Sequence, residues 1–416
     1  MKKLFAVLVL FALVLVGCGG GSTTTTTSTT SAPANPAPTT NVTATANTVA
    51  VTVDHTYNIS NAPYVSVTVC QPNTTNCAII DHVLLDTGSS GLRLLKTAIP
   101  STLTPVNFTD PNTSEPLAEC GEFGSGFTWG PISTLDIKLA GETASSMPVQ
   151  IIDSTYSTIP TACSSFGTDM GLSGTASLYA KGILGVGLMR EDCGAGCVSA
   201  GSYDLYYACA SGTCSLTPTA LTHQVRNPVT AFASDNNGVI LNFPVVPQGG
   251  AATVTGTLTI GINTRSNNMQ PANATKWTTD SVGDITADYT GSYLTSFFDS
   301  GSSTQFVPDN TITQCGTSFS ATPWFCPTSE QNLSATLIGY AGETGIATFS
   351  IGNVQTEFTA HPTYAAFFDT GVDLDLFTQP MLDFGMPFFY GRTIYFGIQG
   401  NDNISLGQWP YFAVGQ

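Results

Sequence analysis

Two short segments of the chain carry an aspartate in the same local setting. The first reads Val-Leu-Leu-Asp-Thr-Gly-Ser-Ser over residues 83–90, and the second reads Ser-Phe-Phe-Asp-Ser-Gly-Ser-Ser over residues 296–303. In each segment an apolar run that suits a buried strand leads to one aspartate, Asp86 or Asp299, on a tight glycine-containing loop with flanking hydroxyl side chains. The repeat predicts two lobes that share one site.

Two neighbouring carboxyl groups can hydrolyse a peptide bond without a metal ion or a covalent intermediate. An ionised carboxylate makes a water molecule nucleophilic, while a neutral carboxylic acid polarises the carbonyl group. Two ionised carboxylates about 4 Å apart would repel by about 4 kcal/mol at an effective dielectric constant near 20, which corresponds to about three pKa units. We therefore expect the pair to hold one proton over a broad acidic range.

A glycine-containing apolar segment follows each aspartate at a comparable distance along the chain. Residues 182–187 (Gly-Ile-Leu-Gly-Val-Gly) follow Asp86, and residues 382–389 follow Asp299. These motifs resemble pepsin-like aspartic peptidases, and the resemblance covers most of residues 51–416. It implies a mainly β, bilobal pepsin-like acid protease fold with two related β lobes and a central cleft. The chain also resembles an uncharacterised family of bacterial lipoproteins with the same two loops.

The resemblance implies that Asp86 and Asp299 form the catalytic dyad. A third aspartate, Asp369, lies in a similar Phe-Phe-Asp-Thr-Gly segment, but no Ser-Ser pair follows it. It also lies only 14 residues before Asp383 (383 minus 369). This distance is much shorter than the one that separates Asp86 or Asp299 from its later glycine-containing segment. We therefore predict that Asp369 is a structural loop carboxylate.

The resemblance also assigns roles to the residues beside the two aspartates. The hydroxyl groups of Thr87 and Ser300 are implied to reach across to the partner loop. Those of Ser89 and Ser302 are implied to bond the outer carboxylate oxygens. Glycines in both loops allow close approach of the backbone. The predicted supporting residues are Thr87, Gly88, Ser89, Ser300, Gly301 and Ser302.

The segment that matches the pepsin-like flap departs from the usual pattern. A flap is a hairpin whose tip carries a tyrosine, and a tryptophan beyond the first catalytic loop hydrogen-bonds that tyrosine. Phe123 stands at the tyrosine position here and Arg93 at the tryptophan position, so both members of that hydrogen-bonded pair are replaced. Asp383 also interrupts the apolar pair before Gly385. These changes favour an alternative hypothesis, a noncatalytic surface module that binds peptide or glycan. The predicted flap residues are Phe123, Gly124, Ser125 and Gly126.

The first 50 residues predict export and lipid attachment. Residues 1–18 combine two lysines, an apolar run of 13 residues and a Leu-Val-Gly-Cys lipobox that ends at Cys18, which is typical of a lipoprotein signal peptide. Lipid on Cys18 would attach the mature chain to a membrane of the bacterial cell envelope, and Gly19 favours the outer over the inner membrane. Residues 19–50 are uncharged and rich in Ser, Thr, Pro and Gly, which predicts a disordered tether.

The remaining 366 residues (416 minus 50) suit two lobes, residues 51–225 and 226–416. A net charge of −17 with only 9% charged residues excludes a nucleic-acid-binding surface, which needs clustered Lys and Arg. The four histidines are isolated and lack metal-ligand spacing. We expect a monomer that acts on peptide or protein substrates and needs no cofactor or metal.

Ten cysteines remain after Cys18, and in an exported chain they favour disulfides. Spacing does not fix the connectivity. Eight of the ten could form pairs between cysteines that are close in sequence, which would leave Cys120 to pair with Cys163. An alternative is a structural zinc ion on Cys193, Cys197, Cys209 and Cys214. The candidate pairs are Cys70–Cys77, Cys120–Cys163, Cys193–Cys197, Cys209–Cys214 and Cys315–Cys326.

Short alternating or apolar runs bounded by turn residues predict a mainly β chain with several hairpins. The hairpin candidates are 64–69 with 78–85, 132–139 with 149–152, and 238–243 with 256–262.

Overall fold

A computed structural model describes residues 47–199, 203, 205–373, 380–400 and 410–415. The predicted signal peptide, Cys18 and residues 19–46 of the predicted tether lie outside the described residues. Within the described part the chain is mainly β, as the sequence predicts, and it forms 24 strands. None of the helices in this part is long and apolar enough to cross a membrane.

The described strands fall into two groups of twelve, each with one aspartate motif. The first group is β1 (Thr48–Val53), β2 (Pro63–Cys70), β3 (Cys77–Asp86), β4 (Ser90–Leu95), β5 (Val106–Asn107), β6 (Leu117–Phe123), β7 (Gly126–Leu139), β8 (Glu142–Ile152), β9 (Thr168–Asp169), β10 (Gly182–Val186), β11 (Tyr206–Ala210) and β12 (Thr213–Leu216). The second group is β13 (Gly238–Asn242), β14 (Val254–Ile260), β15 (Thr275–Thr278), β16 (Ile285–Tyr289), β17 (Ser292–Asp299), β18 (Gln305–Phe306), β19 (Gln331–Ile338), β20 (Thr344–Ile351), β21 (Gly371–Val372), β22 (Met381–Gly385), β23 (Thr393–Gly397) and β24 (Tyr411–Gly415).

Helices are short in the described residues. The α-helices are α1 (Thr161–Ser164), α2 (Thr175–Leu178) and α3 (Val354–Ala360), and the 3-10 turns are Lys96–Ala98, Gly194–Cys197, Leu221–His223, Pro228–Ala231 and Met386–Phe389.

The three predicted hairpins are all present, as β2 with β3, β7 with β8, and β13 with β14. In strand β3 the hydrophobic pattern of the sequence matches the burial of the side chains. Its first half alternates in exposure, whereas Val83 to Asp86 are all buried, because Val83 and Leu85 pack into one apolar cluster and Leu84 packs into another. A continuous apolar run suits a strand that is covered on both faces.

Each aspartate loop has the same three-strand surroundings. Strand β10 runs parallel to β3 and antiparallel to β4, which places Gly185 opposite Asp86. Strand β22 runs parallel to β17 and antiparallel to β18, which places Gly385 opposite Asp299. The predicted pairing of each aspartate loop with a later glycine strand is confirmed, and with it the mainly β, bilobal pepsin-like fold.

A sheet built from both ends of the chain joins the two halves. Its order is β2, β1, β14, β13, β23, β24 and β15, and all neighbours are antiparallel. The prediction of a tether up to residue 50 is wrong for residues 48–50, which belong to β1 and pair with β14. The boundary predicted near residue 225 stays a prediction, because strands from both sides of it share this sheet.

The described cysteines form five disulfides, and they are the five candidate pairs: Cys70–Cys77, Cys120–Cys163, Cys193–Cys197, Cys209–Cys214 and Cys315–Cys326. The zinc alternative is wrong, because all four cysteines that it needs are oxidised in pairs.

Candidate active site

Strand β3 delivers Asp86 into the interior, where the carboxyl group is fully buried. The backbone N–H of Gly88 donates to its Oδ1 over 2.8 Å. The hydroxyl of Ser89 donates to its Oδ2. Both bonds stabilise the carboxylate form, because an ionised carboxylate only accepts hydrogen bonds.

Strand β17 delivers Asp299 in the same way. The preceding Phe298 is 1% exposed and fixes the strand end by ring contacts with Phe384, Phe388 and Phe412, whose centroids lie 5.3, 5.2 and 5.0 Å away. The backbone N–H of Gly301 donates to Asp299 Oδ1 over 2.7 Å. The Ser302 hydroxyl donates to Oδ2 over 3.0 Å. The two loops therefore hold their carboxyl groups with matching donors.

Reciprocal hydrogen bonds lock the two loops together. Thr87 N–H donates to Ser300 Oγ over 3.1 Å, and Ser300 N–H donates to Thr87 Oγ1 over 2.9 Å. Each hydroxyl then donates onward, from Thr87 to the carbonyl of Phe298 over 3.2 Å and from Ser300 to that of Leu85 over 2.7 Å. All of these groups are buried, so each bond avoids the cost of an unsatisfied polar group.

The two carboxyl groups are neighbours, because the Gly88 backbone that donates to Asp86 also lies against the carboxyl group of Asp299. Gly88 makes this approach possible, because a Cβ atom at this position would lie 2.7 Å from Cγ of Asp299. Burial raises the pKa of Asp86, while the hydrogen bond from Ser89, the neighbouring Asp299 carboxyl group and the N–H of Gly88 oppose the rise. The pKa of Asp299 lies well above its usual range, because of burial first and the negative charges of Asp86 and Asp383 next.

Arg93, which occupies the tryptophan position of the resemblance, is the centre of a buried ion-pair cluster. Its Nη2 donates to Glu119 Oε1 over 2.5 Å and to Asp192 Oδ2 over 3.0 Å. Its Nη1 donates to the carbonyl of Ser90, next to the Asp86 loop, over 3.0 Å. The positive charge of Arg93 also lowers the pKa of Asp86. The sequence singled out Arg93 but gave no sign of Glu119 or Asp192, which lie on other elements.

The predicted flap residues form the tight turn between β6 and β7, where Phe123 pairs with Gly126. Phe123 is only 1% exposed, and the Arg93 guanidinium lies 5.5 Å from its ring centroid. A contact between these two positions is thus retained without a tyrosine hydroxyl. Gly126 has φ +149° and lies against Thr168 so closely that a Cβ atom would be 2.0 Å from the Thr168 carbonyl oxygen. The hairpin tip is therefore packed against the 168–170 segment.

Asp383 is the functional candidate that sequence reasoning missed. It is fully buried on β22, and the hydroxyl of Ser302 lies 2.7 Å from its Oδ2. The sequence signal was its position in the apolar pair before Gly385, which showed a departure from the resemblance but not a contact with Ser302. Burial raises its pKa well above the usual range.

A protein-family model matches residues 43–414, and its description reads "Protein of unknown function (DUF3443)". The chain belongs to this family. Its description gives no activity and no lipid attachment, so both stay predictions. No curated protein matches the chain significantly. Among solved structures, an aspartic proteinase from Irpex lacteus is similar over 89% of this chain and 96% of its own, with 14% identity and a TM-score of 0.46.

Asp369 lies in a different setting from the dyad. Its carboxyl group is 1% exposed and lies beside that of Glu357, and both pack against Gly352. Burial and the charge of Asp369 raise the pKa of Glu357 to about 9. Among the described residues, no group of three or more His, Cys, Asp and Glu side chains is arranged to hold a metal ion.

Proposed function

We propose that this chain is an aspartic endopeptidase that hydrolyses peptide bonds with a water molecule activated by Asp86 and Asp299. One observation carries the proposal: two buried carboxyl groups on equivalent loops lie on either side of Gly88, and reciprocal bonds between Thr87 and Ser300 hold those loops together. Paired-carboxyl hydrolysis needs this proximity, because both groups must contact the same water molecule.

The surroundings of the two carboxyl groups give them different tasks. Asp86 accepts bonds from Ser89 and Gly88, and the charge of Arg93 also favours its ionised form. Asp299 is buried and faces the negative charge of Asp86, so its pKa is raised further. Asp86 therefore ionises first, and the proton that the pair shares stays on Asp299. Asp86 acts as the general base and Asp299 as the general acid.

In the proposed reaction Asp86 removes a proton from the water molecule as the water oxygen attacks the carbonyl carbon of the substrate. Asp299 gives its proton to the carbonyl oxygen, so that a neutral tetrahedral diol forms. The C–N bond then breaks as the proton on Asp86 passes to the leaving nitrogen and one diol hydroxyl returns its proton to Asp299. The pair ends with one proton, as it began.

The proposal includes a location and a substrate class. Lipid on Cys18 would hold a monomeric enzyme at the bacterial cell envelope, with the outer membrane favoured, and the substrate would be a peptide or protein in extended form. Support comes from the signal-peptide pattern of residues 1–18 and the even number of oxidised cysteines.

A noncatalytic module that binds peptide or glycan is the second candidate, and the hairpin favours it. Phe123 offers no hydroxyl group to a substrate, and its ring is buried against Arg93. Such a module would keep the fold and the bonds between the loops while cleaving nothing.

The deciding experiment uses residues 47–416 and a diverse peptide library from about pH 3 to about pH 7, the range in which a carboxyl pair holds one proton. We expect cleavage that a statine-type inhibitor blocks. Asp86→Asn and Asp299→Asn should each lower kcat/KM by more than about 1,000-fold, because the two groups act as a unit. Asp369→Asn is the matched control and should retain activity. Binding without cleavage by a folded protein at every pH would support the second candidate instead.

A further inference from the structure

A third carboxyl group lies directly behind the proposed dyad. The Ser302 hydroxyl oxygen lies 3.0 Å from Asp299 Oδ2 and 2.7 Å from Asp383 Oδ2, so it bridges the two side chains. All three side chains are buried, and the other oxygen of Asp383, Oδ1, has no hydrogen-bond partner among the described residues. The proposed mechanism does not use this group.

The protons in the bridge can be counted. A serine hydroxyl carries one proton and can donate it to only one of the two carboxyl oxygens. The second short contact therefore needs a proton from a carboxylic acid. Either Asp383 is neutral and donates to Ser302, which then donates to Asp299, or Asp299 donates to Ser302, which then donates to an ionised Asp383.

Burial decides between these two arrangements. An ionised Asp383 would be fully buried, would have one oxygen without a donor, and would face the charge of Asp86. A buried charge without compensating bonds is far more costly than a buried neutral acid. The second arrangement would also turn the proton of Asp299 towards Ser302 and away from the substrate carbonyl oxygen, where the proposed reaction needs it.

The first half of the chain shows that the bridge is not needed to build the loop. Ile183 pairs with Leu84 two residues before Gly185, which is the same register position that Asp383 occupies opposite Phe297. Ser89 still donates to Asp86 there without a carboxyl group behind it. The third acid is thus specific to the Asp299 side.

We propose that Asp383 is a positioning residue, a neutral carboxylic acid that donates to Ser302 Oγ and thereby directs the Ser302 hydroxyl proton to Asp299 Oδ2. The role in catalysis rests on the proposed function, whereas the protonation state and the bridge do not. The active cluster of Asp86, Asp299 and Asp383 then holds two protons, one on Asp383 and one shared by the dyad.

Infrared difference spectroscopy of residues 47–416 at about pH 6 tests the protonation state without any need for activity, because an ordinary aspartate is ionised at that pH whereas the proposed Asp383 is neutral. Asp383→Asn keeps the side-chain shape and should remove one carbonyl band of a protonated carboxyl group. Ser302→Ala should shift that band. Glu357→Gln is the control: it should remove a different band that Ser302→Ala leaves in place. Absence of any band loss in Asp383→Asn would mean an ionised Asp383 and would overturn the proposal.

The pH profile of hydrolysis tests the positioning role. Asp383→Asn can still donate and should keep the wild-type profile. Asp383→Ile, which copies Ile183, should move the basic limb, which the ionisation of Asp299 sets, upward by about 0.3 pH unit. A neighbouring bond strengthens the hydrogen bond that stabilises ionised Asp299 by only about 10–30%, so its loss raises the pKa of Asp299 slightly. In a Ser302→Ala background, Asp383→Ile should cause no further shift. An equal shift in both backgrounds would contradict positioning through Ser302.

The two proposals fail in different ways. A wild-type protein that cleaves no peptide but shows the carbonyl band that Asp383→Asn removes would contradict the peptidase proposal. The inference that Asp383 is a neutral donor would still hold. An active enzyme whose Asp383→Asn variant loses no band would leave the peptidase proposal intact and overturn the inference about Asp383.

Discussion

At the scale of single residues, the candidate site depends on hydroxyl groups that satisfy the backbone of the opposite loop. Thr87 Oγ1 accepts from one loop residue, Ser300, and donates to another, Phe298. Ser300 Oγ does the same for Thr87 and Leu85. Because each hydroxyl serves two buried backbone groups, its removal leaves two groups unsatisfied instead of one.

We expect Thr87→Val and Ser300→Ala each to lower the free energy of unfolding by about 1–3 kcal/mol, the cost of buried polar groups that lose their partners. The two changes break one shared network, so the double variant should lose at least about 0.5 kcal/mol less than the sum of the singles. Urea unfolding of the four proteins measures this. Thr259→Val, on the partly buried Thr48–Thr259 contact, is the control and should cost less than about 0.5 kcal/mol. Strict additivity of the two loop changes would contradict the network.

At the scale of secondary-structure elements, Arg93 ties β4 to the hairpin of β6 and β7 and to the segment around Asp192. The cluster has one cation for two acids, Glu119 and Asp192, and burial together with the charge of Glu119 raises the pKa of Asp192 well above its usual range. The hairpin is thus held by a buried ion pair, where the resemblance implied a bond between tyrosine and tryptophan.

Arg93→Met should lower the free energy of unfolding by about 3–5 kcal/mol, because it leaves buried carboxyl groups without their cation. Adding Glu119→Gln should restore part of this loss, since the unpaired charge then disappears. Chemical denaturation of the single and double variants provides the measurement. The same Glu119→Gln change in an Arg93 background is the control and should destabilise. A loss below about 1 kcal/mol for Arg93→Met would show that the cluster adds little to stability.

The sequence predicted what local patterns determine. The strand before each aspartate, the hairpins and the nearby cysteine pairs follow from short segments. Arg93 could be singled out, but its partners lie 26 and 99 residues away, and the Ser302–Asp383 contact spans 81 residues. Only the folded register brings such groups together. The tether prediction was wrong at residues 48–50 for the same reason: Thr, Val and Ala become a strand there because β14 supplies the pairing.

At the scale of the whole molecule, β1 is the strand that links the first half to the sheet of the second. Asn47, just before it, is 1% exposed, and its amide donates to the carbonyl of Ile260 over 2.8 Å. A protein that begins at residue 54 lacks this strand and leaves β14 with an open edge. We expect it to melt well below a protein that begins at residue 47 and to aggregate on heating, because open strand edges pair with other chains. Calorimetry and light scattering check this; equal melting temperatures would contradict it.

The free energy of unfolding should depend on pH in part through the ionisation of Glu357. Its folded-state pKa of about 9 lies above the ordinary value of 4.5, because of burial first and the charges of Asp369 and Glu330 next. Folding therefore binds a proton, so this contribution is fully present below about pH 4.5 and is lost as the pH rises through about 9. Glu357→Gln should flatten the decline in the free energy of unfolding between these pH values, measured by urea unfolding at several pH values. Asp288→Asn, at a partly exposed strand position, is the control and should leave the decline unchanged. An unchanged decline would place its origin elsewhere.

The order of strands in the joining sheet has a mechanical consequence. Counting antiparallel neighbours from β1 through β14, β13 and β23 to β24 shows that β1 and β24 point in the same direction. The first residue of β1 and the last residue of β24 therefore lie at opposite ends of the strands. A force applied between these two ends would pull along the strands and would strain all the intervening inter-strand hydrogen bonds at the same time. Unfolding under tension would therefore be slow. A chain held at one end and pulled at the other would thus resist extraction at the sheet that joins its halves.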